Sequence, residues 1–139
     1  MSTPAVPQAV KPVASLILAR ADLTGPVLRR LVASPAHLAD WKVFTNSLEK
    51  RFTLGGHRLI NLDPGYVGRE RLVLATGKNY VHRLYLSQGI YGDLTLLAGR
   101  RGFQALSWSY PDYAEGPLPE YLTLVRQKYL WQLQQLANQ

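Results

Sequence analysis

Val81-His82-Arg83-Leu84-Tyr85-Leu86-Ser87-Gln88-Gly89-Ile90-Tyr91-Gly92-Asp93-Leu94-Thr95-Leu96-Leu97 is the stretch whose reading decides the fold. Two β-prone runs, Val81 to Leu86 and Ile90 to Leu97, flank Ser87-Gln88-Gly89. A three-residue connection ending in glycine is the pattern of a hairpin closed by a type I turn and a glycine bulge. With Leu86 opposite Ile90, Tyr85 faces Tyr91 and Arg83 faces Asp93. Side chains alternate along a strand, so these four and Thr95 share one polar-aromatic face. His82, Leu84, Leu86, Ile90, Leu94 and Leu96 fall on the other, mostly apolar, face.

Upstream, Arg58 to Leu62 reads as a further strand, and Arg71 to Thr76 reads as a strand or a short helix, which periodicity does not separate in so short an apolar run. Between them Asp63-Pro64-Gly65-Tyr66 reads as a type II turn, with Pro64 setting the first central position and Gly65 supplying positive φ at the second. Ser34-Pro35 opens a helix that runs from about residue 35 to 51, with Ser34 as cap and Gly55-Gly56 beyond its end. Leu38, Trp41, Phe44, Leu48 and Phe52 recur at steps of three and four and form its expected apolar stripe. Val13 to Ala19 reads as a buried strand and Pro26 to Ala33 as a short helix, while Met1 to Pro12 reads as a disordered lead-in.

Downstream, Gly99-Arg100-Arg101-Gly102 is a turn and Phe103 to Leu106 a strand. Trp108 to Tyr113 is irregular because of Pro111. A last helix spans about 120 to 137, with Leu122, Val125, Tyr129, Leu133 and Leu136 as its stripe. The expected fold is α+β: a single domain over residues 13 to 139, in which one antiparallel sheet of four to six strands is covered on one face by the 35–51 and 120–137 helices.

With 139 residues, 47% of them hydrophobic and 18% charged, the chain has the size and composition of one globular domain. It has no cysteine, which excludes disulfides and thiolate metal sites and fits a reducing cytoplasm, the expected location. No apolar run approaches the ~20 residues of a membrane-spanning helix. Val13 to Ala19 has only Lys11 before it and no small-residue cleavage site, which argues against a signal peptide. The formal charge of +7 favours anionic partners. Its basic residues are scattered, however, which is also the pattern of a solvated surface.

Asn61-Leu62-Asp63-Pro64-Gly65-Tyr66, Leu72-Val73-Leu74-Ala75-Thr76 with Lys78, His82-Arg83-Leu84-Tyr85-Leu86, Gly89-Ile90-Tyr91 and Trp108-Ser109-Tyr110-Pro111-Asp112-Tyr113 follow one another at spacings that resemble the prokaryotic domain-of-unknown-function family 4416. Lys42, Thr45-Asn46 and Glu49 are similar to the same pattern. The resemblance covers roughly Lys42 to Tyr113. Two departures stand out. Ala19 to Leu31 replaces a longer N-terminal region, so any functional group there is absent. Gly77 and Asp93 stand where threonine and glutamate are expected. Members of the family are sometimes labelled GTP-binding, but this chain lacks the phosphate-cradling loop: its Gly77-Lys78 is followed by Asn79, and Leu72 stands where the first glycine belongs.

Candidate site residues divide between two readings. Arg83, Tyr85, Tyr91 and Asp93 are either an ion pair and an aromatic pair that stabilise the hairpin or the floor of a ligand pocket. His82 is either a satisfied core histidine or, beside Lys78 and Asp63, a general base. Asp63 either serves its turn or does acid–base work, and with Asp93, Asp112 and His82 it would make a hard-metal set, although no spacing matches a metal motif. Trp108, Tyr110 and Tyr113 either seal the sheet or are platforms on which bases stack, and the irregular segment's Pro111 and Asp112 favour its lining a site. Lys42, Asn46 and Glu49 share a helix flank that is either solvated or turned to the site. No Gly-x-Ser-x-Gly context supports a serine hydrolase.

The residues favour a small anionic or nucleotide-like ligand on the polar-aromatic face, with Lys78, Arg83 and Tyr85 for the anion, Asp63 and Asp93 for orientation or acid–base work, and Trp108 and Tyr110 for stacking. The alternative is a basic RNA-binding or protein-interaction module without catalysis. The sequence names no cofactor, reaction or oligomeric state.

Overall fold

Alternating apolar and polar residues through the middle of the chain build one antiparallel sheet. The computed structural model describes residues 11–18, 25–27 and 34–138. Two strands, β1 (Lys11–Leu18) and β2 (Gly25–Val27), precede a 3-10 turn at Pro35–His37 and the helix α1 (Leu38–Arg51). A small hairpin of β3 (Thr53–Leu54) and β4 (His57–Arg58) leads into β5 (Ile60–Val67) and β6 (Arg71–Thr76). Next come β7 (Arg83–Ser87), β8 (Ile90–Gly99), β9 (Gly102–Ala105), the short helix α2 (Pro111–Ala114) and the long helix α3 (Pro117–Ala137). The main sheet has seven strands in the order β2-β1-β5-β6-β8-β7, with β9 also on β8. The α+β expectation is met.

In the β7–β8 hairpin, Tyr85 pairs with Tyr91 and Arg83 with Asp93, as alternation required. The turn is tighter than expected. Ser87 pairs with Ile90, and Gln88 and Gly89 both have positive φ, 55° and 75°. Two central residues of that kind make a type I′ turn, whose twist matches the strands, and the extra residue is absorbed as an irregularity at Leu86. On β8 the register against β6 shifts between Leu94 and Leu96, leaving Thr95 as a bulge. That shift carries Leu96 to the face opposite Leu94.

The helices lie on opposite faces of the sheet rather than on one. Leu72, Leu74, Val67 and Leu96 pack with Leu122 and Val125 of α3 and with Tyr113. Ala75 and Val73, which alternation points the other way, pack with Leu38 and Ala39 of α1 and with Ile90. Ser34 caps the first turn through its hydroxyl, which accepts from Ala36 N–H. The α1 stripe departs from its periodicity: Phe44 and Phe52 are exposed, while Lys42 and Glu49 are buried. The stripe of α3 holds at Leu122, Val125 and Tyr129.

Asp63-Pro64-Gly65-Tyr66 is not a turn. It lies within β5, in continuous register with β1, and Gly65 does not have positive φ. Glycine is needed at 65 for closeness: a Cβ there would meet Val73 O at 2.6 Å and Leu74 Cδ2 at 2.7 Å. Gly25-Pro26 is likewise strand, not the start of a helix; residues 28–33 of that expected helix lie outside the described residues. Lys11 and Pro12, expected in the lead-in, belong to β1, and residues 1–10 lie outside the described residues. Among the described residues no helix is long and apolar enough to cross a membrane.

Candidate functional site

The site begins where a ladder stops. β5 pairs with β6 only over Gly65 to Val67, although β6 runs on to Thr76. Pro64 has no N–H to continue the ladder. The first half of β5 therefore parts from β6, and side chains of α1 take the place of the missing strand. Leu62 N–H donates to Glu49 Oε1 at 2.7 Å, and Lys42 Nζ donates to Leu62 O at 3.3 Å. Glu49 Oε2 also accepts from Arg58 Nη1 at 2.9 Å. A buried carboxylate and a buried ammonium are each tolerated because each has a partner. This is why α1 buries Lys42 and Glu49 instead of Phe44.

The gap between the two strands is a cavity of about 580 Å³. Lys42 and Asn46 line it from α1, and Arg58, Asn61 and Asp63 from the β4–β5 side. Leu74 to Lys78 line it from β6 and the loop beyond. Arg83 and Asp93 come from the hairpin, and Tyr110, Asp112 and Tyr113 from α2 and its entry. Of the residues expected at a site, Asp63, Lys78, Arg83, Asp93, Tyr110 and Asp112 meet here, together with Lys42 and Asn46 of the α1 flank.

Arg83 is the most heavily engaged of these. Its Nε donates to Asp93 Oδ2 at 2.8 Å, Nη1 to Lys78 O at 3.0 Å and Nη2 to the Tyr110 hydroxyl at 3.3 Å. Its guanidinium also lies 4.4 Å from the centroid of the Tyr80 ring, in cation–π geometry. Arg83 and Asp93 are 7% and 6% exposed, so the pair is a buried scaffold that also forms one wall.

His82 is placed differently from its expectation. It precedes β7 in a turn closed by Arg83 N–H to Tyr80 O, so strand alternation does not put it on the apolar face. Its ring stacks on Trp108, with centroids 5.1 Å apart, and its Nε2 comes within 3.6 Å of Asp93 Oδ2. Trp108 Nε1 donates to Leu94 O at 2.7 Å, and the Ser109 hydroxyl donates to Thr95 O. These two groups satisfy β8 in the gap between β7 and β9. Trp108 and His82 thus stand behind the cavity wall. Tyr85 and Tyr91 make an edge-to-face pair on the hairpin, with centroids 5.3 Å apart, and do not line the cavity. No three His, Asp or Glu side chains converge as a metal-binding group among the described residues, so the set Asp63, Asp93, Asp112 and His82 is not assembled.

The proton affinity of Asp63 is displaced. Burial pushes its carboxyl above the usual carboxylate range; Lys42 opposes this, Glu49 adds to it and Arg58 opposes it. Asn61 Nδ2 donates to its Oδ2 at 3.1 Å. Arg58, Asn61 and Thr76 were missed as lining residues, because nothing in the local pattern shows that β5 leaves β6 there, whereas Tyr113, expected as a stacking ring, does line the cavity.

No curated protein and no solved structure matches the chain. A family model does match, over residues 26–129, which is most of the length and includes every cavity residue named above. The chain therefore belongs to the family described as Domain of unknown function (DUF4416).

Proposed function

We propose that the cavity between β5 and β6 binds a small anionic ligand of nucleotide or sugar-phosphate type. The observation that carries this is the convergence of Lys42, Lys78 and Arg83 on one cavity of about 580 Å³, with Asn46, Asn61 and Asp63 beside them. That volume lies within the ~300–1,000 Å³ of small-molecule sites. Arg58 and Arg83 are balanced by Glu49 and Asp93, which leaves Lys78 and the half-committed Lys42 to meet an anion. Asn46, Asn61 and Asp63 offer donors and acceptors for a ring or hydroxyls, and the exposed Tyr110 offers a ring at the rim.

The test is a thermal-shift and calorimetric screen of nucleotides, sugar phosphates, inorganic phosphate and a short RNA, at low and moderate salt. A ligand at 100 times its dissociation constant adds about 2.7 kcal/mol, which moves the midpoint by several degrees. A small-molecule shift that survives moderate salt and weakens about tenfold or more in Lys78→Ala supports the reading. Lys78 is exposed, so that variant should keep its fold. A shift seen only with RNA and lost with salt would replace the pocket with a basic binding surface. If nothing shifts, the anion reading fails.

A further inference from the structure

Asp63 stands apart from the other acids of the cavity. Glu49 is engaged by Leu62 N–H and Arg58, and Asp93 by Arg83. Asp112 is exposed in the first turn of α2. Asp63 is half-buried on the parted half of β5 and lines the cavity. Among the described residues its carboxyl takes one hydrogen bond, from Asn61, and makes no ion pair. The cations that act on it, Lys42 and Arg58, are directed at Leu62 O and Glu49. Lys78, the Arg83–Asp93 pair and Asp112 line the same cavity.

An anion held by Lys42 and Lys78 would share this cavity with a carboxyl that makes no ion pair among the described residues. Two negative groups at hydrogen-bonding distance repel unless a proton lies between them. Resting on the anion-site reading, we infer that Asp63 and the bound anion share one proton, so that the site takes a phosphate monoester in preference to a sulfate or phosphodiester. An ionised Asp63 accepts the proton of a monoprotonated phosphate. A protonated Asp63 donates to the dianion. Both states hold the same single proton in one O–H···O bond, and no covalent bond changes. Sulfate and diesters carry no proton near neutral pH and bind only when Asp63 has taken one up. The burial that raises the proton affinity of Asp63 acts in the same direction.

The experiment is calorimetric titration of the full chain with inorganic phosphate and with sulfate, at about pH 5 and about pH 8, in buffers of different ionisation enthalpy. Wild type, Asp63→Asn, Asp63→Ala and His82→Gln are compared. His82 is included because its Nε2 lies 3.6 Å from Asp93 Oδ2, behind the same wall of the cavity. The wild type should prefer phosphate about tenfold or more at the higher pH. Sulfate affinity should fall about tenfold per pH unit once Asp63 is ionised, with one proton taken up on binding. Both Asp63 variants should lose the preference and the pH slope, and His82→Gln should keep both. Asp63 variants that retain the preference, or a wild type that binds both anions equally at both pH values, would overturn the inference while leaving the anion site standing. A wild type that binds neither anion at either pH overturns the anion site, and the inference with it.

Discussion

Replacing Glu49 with alanine tests the claim that α1 substitutes for a strand along β5. The side chain is 5% exposed and accepts two hydrogen bonds, one from Leu62 N–H and one from Arg58. Alanine leaves the Leu62 N–H without its partner, which costs about 1–3 kcal/mol. Losing the Arg58 contact adds roughly 0.2–1 kcal/mol, since Arg58 is 62% exposed and its charge returns to water. A total of about 2–3 kcal/mol lowers the melting midpoint of a domain this size by roughly 6–9 °C, at about 3 °C per kcal/mol. Glutamine keeps an acceptor for Leu62 and loses only the charge, so Glu49→Gln should cost about 1 kcal/mol. Urea denaturation followed by circular dichroism gives the ranking, with unchanged slope showing that only the native state is affected. If Glu49→Ala lies within about 0.5 kcal/mol of wild type, or if glutamine is as damaging as alanine, then Glu49 does not stand in for a strand and the account of the cavity's origin fails.

The remaining expectations are shorter. Arg83→Ala leaves Asp93 buried without its partner and should cost about 3–5 kcal/mol, while Arg83→Met with Asp93→Leu should regain most of it in chemical denaturation. Gly65→Ala forces a Cβ against Val73 O and should cost about 1–3 kcal/mol as a fall in urea midpoint. The carboxyl of Asp63 holds its proton more tightly in the folded chain than in the unfolded one, whose value is near 3.8, so stability falls as pH rises from that value through the folded pKa. Asp63→Asn should therefore raise the melting midpoint at neutral pH, and the gain should vanish below about pH 3.8, a profile read from thermal melts across pH.

The hairpin was legible because its signals are local. Alternation and one glycine were enough to pair Arg83 with Asp93 and Tyr85 with Tyr91. The number of turn residues was not, since the choice between a two- and a three-residue loop depends on where the strand irregularity falls. The α1 stripe misled for a different reason. Periodicity counts apolar residues, but α1 meets the open edge of β5, whose backbone needs a donor and an acceptor. Lys42 and Glu49 supply them, and Phe44 is left outside. His82 was misplaced because the strand starts one residue after it.

The least legible stretch is also the one that opens the cavity. Pro64 and Gly65 together look like a turn, and in isolation that is the economical interpretation of such a pair. The sheet uses each for a separate end. Gly65 lets β6 come within contact of β5, and Pro64, one residue earlier, denies the ladder its next bond. Close pairing on one side of this junction and none on the other is what opens a cavity inside an otherwise continuous sheet. Local propensity and tertiary demand disagree here, and such disagreements concentrate at functional positions. Asp63 adjoins the same junction, so a carboxyl whose proton affinity burial raises is carried on the strand at the point where the strand leaves its neighbour. A stabilising Asp63→Asn would then mark a carboxyl kept for something other than the fold, because a residue selected for stability alone would not be improved by the loss of its charge.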